Sequence, residues 1–395
     1  MNAVKNTTKI LEKLAQEHPV GTESNNIMLD FVENCLKEMG YTVKSLPFNC
    51  MVWRQGSSVL RIAGQAIPVE PSPFSEPFHG ERLLCVAGTL EGLRGLECRD
   101  AILLLSGELT KIPLSPKDYP FYYPDEHEEL ITLLERKNPA AIIAATGATP
   151  LNGKNPFPLF EDGNFLIPSA NIGTAAYADI GPLIHGEKTL AHLVIDSNKI
   201  PSRSRQLIAS KKAETSKGKI IIAAHMDSKY DTLGALDNAA GVAVLLETAA
   251  RLKVAGYDID ILPFNSEEYY GANGELEYLK RIEGENIVLM VNIDSPCHKG
   301  SKTAISFYNF DDEMQAVADK VMDGCPRIVK GQEWYAGDHA PFLFRGTPCM
   351  AVTSSDFFDG ALSNTHTPKD TLDTVDESLA ADASKYLVDM ITTLL

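Results

Sequence analysis

From Arg203 to the end of the chain, short apolar runs alternate with helix-patterned segments, and no other property of the sequence limits its fold as tightly. Ile220-Ile221-Ile222-Ala223-Ala224 has no polar alternation, as expected of a strand covered on both faces rather than one. Behind it, Val242, Leu245, Leu246, Ala249 and Leu252 repeat at helical spacing. Further strands read at Ile259-Asp260-Ile261-Leu262, Val288 to Ile293 and Ala351-Val352-Thr353. Strand and helix in turn predict an α/β fold, a mostly parallel mixed sheet with helices on both faces.

Upstream, Ile27, Met28, Phe31, Val32, Cys35, Leu36 and Met39 predict a helix that stops at Gly40, before the extended Tyr41-Thr42-Val43. Between about Cys50 and Pro201 the regular pieces are short, and Pro, Gly and aromatic residues are frequent. There Ala101 to Leu105 and Ala140 to Ala145 read as buried strands, with a helical face of Leu130, Ile131, Leu133 and Leu134 between them. A chain of 395 residues exceeds the usual single domain. The expected division is a main domain of residues 1–49 and 199–395, interrupted by a smaller inserted α/β domain at 50–198.

A formal charge of −17 and a pI near 5.0, with no Lys/Arg-rich block, argue against nucleic acid and anionic lipid as partners. Met1 to Gln16 lacks the features of a secretory signal, and no segment approaches the roughly 18 apolar residues of a membrane span. The seven cysteines are scattered, odd in number and free of CxxC pairs, which speaks against a disulfide framework and a thiolate metal site. The expectation is a cytoplasmic protein, or a secreted one if a leader precedes this sequence.

Three predicted strands end on potential metal ligands: His225-Met226-Asp227-Ser228, Glu267-Glu268 and Asp294. In open α/β sheets ligands bind beyond the carboxyl ends of strands, so these groups are placed to converge. Asp227 has the spacing of a carboxylate that supports a ligating histidine. Asp237, at the start of the following helix, reads as an N-cap or as an acid able to bridge two cations. Adjacent Glu267 and Glu268 repel unless a cation holds one, which leaves the other to accept a proton from water. His366 and His339 lie in similar late loops, and ligand counting does not choose between them.

These motifs resemble those of the di-zinc aminopeptidases, a family of zinc exopeptidases related to glutaminyl cyclases, glutamate carboxypeptidase and the transferrin receptor. The matching pieces are His225-Met226-Asp227, Asp237-Asn238-Ala239-Ala240-Gly241, Glu267-Glu268, Asp294-Ser295, Asp338 to Phe342 and His366-Thr367-Pro368, over roughly Lys219 to Asp376. The resemblance implies a phosphorylase/hydrolase-like fold and two zinc ions, with cobalt or manganese as possible substitutes. It gives one ion to His225 and Asp294, the other to Glu268 and His366, with Asp237 bridging. It makes Glu267 the general base and Asp227 the acid supporting His225, and it sets His339 aside. Residues 50–198 are similar to the protease-associated domains of some members. Several family aminopeptidases place Tyr before the late histidine to polarise the scissile carbonyl, where this chain has Thr365.

The activity so implied is hydrolysis of peptides with a free N-terminus, through a water activated by two metal ions and a glutamate base. Alternatives on the same framework are a single-zinc glutaminyl cyclase-like acyltransferase, a receptor-like binding protein and a carboxypeptidase. The last needs a cation for the substrate carboxylate, for which Arg345 and Lys299 are the candidates.

Overall fold

The computed structural model describes residues 7–117, 119, 123–146, 158–161, 163–184, 189–269 and 271–395. The chain forms two compact units, one of Met1–Cys50, Ser202–Glu268 and Ala272–Leu395, the other of Met51–Pro201 and Tyr269–Gly271.

The first unit begins with α1 (Thr7–Leu14) and α2 (Glu23–Glu38), followed by β1 (Thr42–Gln55), whose last residues belong to the second unit. Thr22 caps α2 by accepting the N–H of Asn25 at 3.1 Å. Past the helix Gly40 takes a φ of 81°, the left-handed conformation that lets the chain leave for β1. The buried stripe of α2 is Met28, Leu29, Val32, Cys35 and Leu36. Ile27, expected on that stripe, is 46% exposed, one position off its i, i+4 rows.

The second unit is a closed barrel in the order β2 (Ser58–Ile62), β3 (Gln65–Pro71), β7 (Ser169–Gly173), β6 (Ala141–Thr146), β5 (Ile102–Leu105), β4 (Phe78–Ala87) and β8 (Leu190–Ile195). It also carries α3 (Leu90–Gly95), α4 (Asp125–Lys137) and α5 (Thr174–Ile180). Ile102 and Leu104 of β5 join one apolar cluster, while Leu103 and Leu105 join another with Leu130, Ile131, Leu133 and Leu134 of α4. That period of two explains why this strand reads as continuously apolar: both faces are covered.

The chain re-enters the first unit through β9 (Ser197–Lys211) and continues with β10 (Lys219–His225), α6 (Gly241–Arg251), β11 (Asp258–Phe264), α7 (Asn273–Arg281) and β12 (Ile287–Ile293). It ends with β13 (Thr303–Tyr308), α8 (Asp312–Asp323), β14 (Ile328–Lys330), α9 (Ala340–Leu343), β15 (Cys349–Ser354) and α10 (Glu377–Leu394). The eight-stranded sheet runs β1-β9-β11-β10-β12-β15-β13-β14. Its centre, β11, β10, β12 and β15, is parallel, whereas β9 and β13 pair antiparallel with β11 and β15. The fold is therefore the mixed, mostly parallel α/β sheet that the alternation of patterns predicts. Leu245 and Leu246 of α6 share a core with Ile220 and Ile222 of β10 and Tyr386, Leu387 and Met390 of α10. All seven cysteines are free, and among the described residues no helix is long and apolar enough to cross a membrane.

Candidate metal centre

Because β10, β11 and β12 are parallel, their carboxyl ends lie on one edge of the sheet, with His225 in register with Phe264. His225 closes β10, Glu267 and Glu268 follow β11 by three and four residues, and Asp294 follows β12 directly. Turning these chain ends into one site takes unusual backbone. Ser266, Ser295 and His366 have φ values of 81°, 48° and 58°, strained for residues with a Cβ and typical of functional sites.

Asp237 arrives from the turn Ala235–Ala240 that leads into α6. Its carboxylate faces two imidazoles: Oδ1 is 3.0 Å from Nε2 of His225, and Oδ2 is 3.0 Å from Nε2 of His366. Asp294 Oδ1 lies 3.6 Å from His225 Nε2, and Glu268 Oε2 lies 3.2 Å from His366 Nε2. Two three-residue groups result, His225 with Asp237 and Asp294, and His366 with Asp237 and Glu268, each close enough to hold one cation. The five residues read as ligands in the sequence meet here, and Asp237 is common to both groups.

Three supports hold this arrangement. The backbone N–H groups of Leu236 and Asp237 donate to the buried Asp370 carboxylate at 2.6 and 3.0 Å. Asn238 Nδ2 donates to the Ile293 carbonyl at 2.9 Å, while its Oδ1 accepts the N–H of Gly241 at 3.1 Å. A Cβ at position 241 would sit 2.0 Å from that oxygen, so only glycine allows this approach. Lys229 Nζ donates to the Glu268 carbonyl at 2.9 Å and lies 3.6 Å from its carboxylate.

The role expected of Asp227 needs correcting. His225 Nδ1 lies 3.2 Å from the backbone carbonyl of Asp227, not its carboxylate. The fully buried carboxylate instead accepts the N–H groups of Glu267 and Glu268 at 3.1 and 3.3 Å. Asp227 thus orients the glutamate pair, and its main chain fixes the imidazole so that Nε2 faces the carboxylates. A two-residue spacing fits both arrangements, and sequence alone does not separate side chain from main chain.

Burial alone would lower His225, yet the negative charges of Glu267, Asp237 and Asp294 raise it well above its ordinary value. His366 behaves alike: Glu268 and Asp237 overcome burial and the opposing charge of Lys229 and lift it to about 10. Asp237 is held far below the usual carboxylate range, the two histidines prevailing over burial. Burial pushes Glu267 well up against the pull of His225, and Glu268, Asp338 and Asp294 add to the rise. The carboxylates therefore demand positive charge at the two Nε2 positions, which protons supply and divalent cations would supply better. Glu268 Oε1 is buried without a hydrogen-bond partner, an orphaned acceptor that a cation would satisfy. Imidazole nitrogen with carboxylate oxygen is a donor set suited to zinc.

Outside the two groups, His339 is fully buried, and its Nε2 donates to the Trp334 carbonyl at 3.0 Å. Burial holds it down at about 4, a neutral side chain that packs against Tyr308 and Trp334. The Thr365 hydroxyl points at the Leu362 carbonyl, 3.4 Å away. Arg345 and Lys299 are exposed. Lys229 and Asp370, which support the site, have no motif or periodicity in the sequence that marks them. The residue types of Lys229 and Asp370, two after Asp227 of the first motif and four after His366, are the available signal.

Residues 206–391 match the model for peptidase family M28. That stretch of the chain is similar to peptidase family M28, and both groups of ligands lie within it. A probable lipoprotein aminopeptidase, LpqL, of Mycobacterium tuberculosis is 23% identical over 283 residues, which make up 70% of this chain and 54% of that protein. The chain thus spans about half the length of this curated relative. Among solved structures, an aminopeptidase from Aneurinibacillus sp. strain AM-1 aligns over 98% of this chain and 93% of its own, at 20% identity and a TM-score of 0.76. A zinc aminopeptidase from Bacillus subtilis aligns over 98% and 94%, at 18% identity and a TM-score of 0.75. At these identities the likeness speaks for the fold.

Proposed function

We propose that this chain is a zinc aminopeptidase that removes residues from the free N-terminus of peptides and works with two metal ions. The observation that carries the reading is Asp237, whose two carboxylate oxygens each lie 3.0 Å from a different histidine. A single-metal enzyme has no need of that symmetry. His225, Asp294 and Asp237 would hold one zinc ion, and Glu268, His366 and Asp237 the other. When bound, the metal pair lowers the pKa of water to about 7 and polarises a carbonyl.

Glu267 lies next to a ligand but belongs to neither group, which leaves its carboxylate to act as a base. In this reading it takes the proton of the attacking water and passes it to the departing amine. Burial and its carboxylate neighbours make it a stronger base than an ordinary glutamate, which favours proton uptake near neutral pH. Asp227 keeps it in place by accepting its N–H. Thr365, turned to Leu362, has no part in polarising the substrate carbonyl.

The negative charge of Asp294 and Glu267 suits a substrate ammonium group. Peptides with a free N-terminus are expected to be cleaved about ten- to a hundredfold faster than their N-acetylated counterparts, for a charge-assisted contact of about 1.5–3 kcal/mol. Comparing kcat/KM for such a pair at equal zinc loading tests this. Equal rates would remove the aminopeptidase assignment and leave the metallopeptidase in place.

A further inference from the structure

The two groups of ligands are alike in number and type but not in surroundings. Lys229 is 8% exposed, and its ammonium group sits against only one of them. It donates to the Glu268 carbonyl at 2.9 Å and stands 3.6 Å from Glu268 Oε2, the oxygen that also faces His366 at 3.2 Å. The contacts of the other group differ: His225 Nε2 meets Asp237 and Asp294, and its Nδ1 meets a carbonyl. Among the described residues, no lysine or arginine forms an ion pair with Asp237 or Asp294.

We infer that Lys229 makes the two metal positions unequal, weakening the one built from Glu268, His366 and Asp237 relative to the one built from His225, Asp294 and Asp237. Two physical effects point the same way. A fixed positive charge beside the ligand carboxylate repels a divalent cation approaching the same oxygens, and in a buried setting that repulsion is little screened. The ammonium also competes for the Glu268 carboxylate, which is a poorer donor for being partly neutralised. When the weaker position is empty, Lys229 takes over as partner of Glu268 and keeps its side chain aimed at His366. That position is then suited to emptying and refilling without losing its shape, and the supply of zinc would set the fraction of enzyme holding both ions. Lys229 is in this sense a positioning residue, acting through Glu268.

The inference rests on the two-ion reading above, and the test separates the two. Zinc is titrated into the metal-stripped full chain in competition with a chromogenic chelator, for wild type, Lys229→Met, Lys229→Gln and Lys229→Arg. Wild type should show two binding steps of unequal affinity. Lys229→Met should tighten the weaker step by about tenfold or more and leave the tighter one nearly unchanged. Lys229→Arg, which keeps the charge, should retain the wild-type spacing. Lys229→Gln, a polar replacement, gives the same readout if the methionine variant does not fold. Unchanged affinities in the neutral variants, an equal shift of both steps, or an arginine variant that behaves like the methionine one would overturn the role of Lys229. A single zinc step in wild type would instead sink the two-ion reading itself.

Discussion

Replacing Asp370 by Asn should leave the metal-free protein more stable than wild type at pH 8 while crippling its metal centre. The Asp370 carboxylate accepts the N–H groups of Leu236 and Asp237 at 2.6 and 3.0 Å in a fully buried setting. Asn keeps one acceptor and presents an NH2 group to the other N–H, so one charge-assisted bond of about 1.5–3 kcal/mol is lost. Against that stands the cost of the buried charge. Burial pushes Asp370 from an ordinary 3.8 up to about 7, despite the pull of the two N–H groups. A carboxyl raised on folding costs nothing at pH values below 3.8, and its cost grows as pH climbs towards 7. At pH 8 it stands near 4 kcal/mol, from about 1.36 kcal/mol per unit. That value already includes the pull of the two N–H groups, so the relief prevails, and the variant, which does not titrate here, should be the more stable at pH 8 by up to about 4 kcal/mol. At pH 4 Asp370 is protonated in the folded protein, so the charge-assisted bond and the cost of the charge are both absent, and the variant should lie within about 1 kcal/mol of wild type. With the Asp237 backbone loosened, zinc affinity or kcat/KM should fall about ten- to a hundredfold. Urea unfolding of the metal-free proteins at both pH values, with zinc titration and kcat/KM at pH 8, covers each part. Wild-type zinc affinity and turnover, or a stability difference that does not change with pH, would refute the reasoning.

Glu267→Gln should lower kcat by about 10²–10⁴ while bound zinc, measured by elemental analysis, stays at the wild-type level, because a proton acceptor is lost and no ligand. Near-normal turnover would end its assignment as base. Thr365→Val should leave kcat close to wild type and cost about 1 kcal/mol in thermal unfolding, since the hydroxyl reaches only the Leu362 carbonyl. A fall in kcat of about a hundredfold would put that hydroxyl at the substrate carbonyl after all.

Much of the centre was legible because its ligands stand where buried strands stop. Ile220–Ala224 has no polar residue to confuse the pattern, so His225 is marked by contrast, and Asp294 follows Val288–Ile293, a run apolar but for Asn292. The parallel order of β11, β10 and β12 then does the gathering. What escaped is what depends on direction rather than position. Asp227 was placed correctly in the chain, but whether its carboxylate or its carbonyl meets His225 depends on how the strand end turns. Asp370 acts on a backbone 133 residues away and Lys229 on a side chain 39 away, with no periodicity to announce either pairing. The barrel of the second unit was hidden for another reason. Strands such as β2 and β3 mix buried and exposed residues, so their pattern is too short and too polar to read as a closed sheet.

The central claim is that Asp237 joins two cation positions. A crystal structure of the zinc-loaded protein, with anomalous scattering at the zinc edge, tests it most directly. The account predicts two peaks about 3.5–4 Å apart, one oxygen of Asp237 on each, with His225 and Asp294 on one ion and His366 and Glu268 on the other. A single zinc ion in crystals grown with excess zinc, with Asp237 turned away from one histidine, would contradict it and favour a one-metal acyltransferase on the same fold.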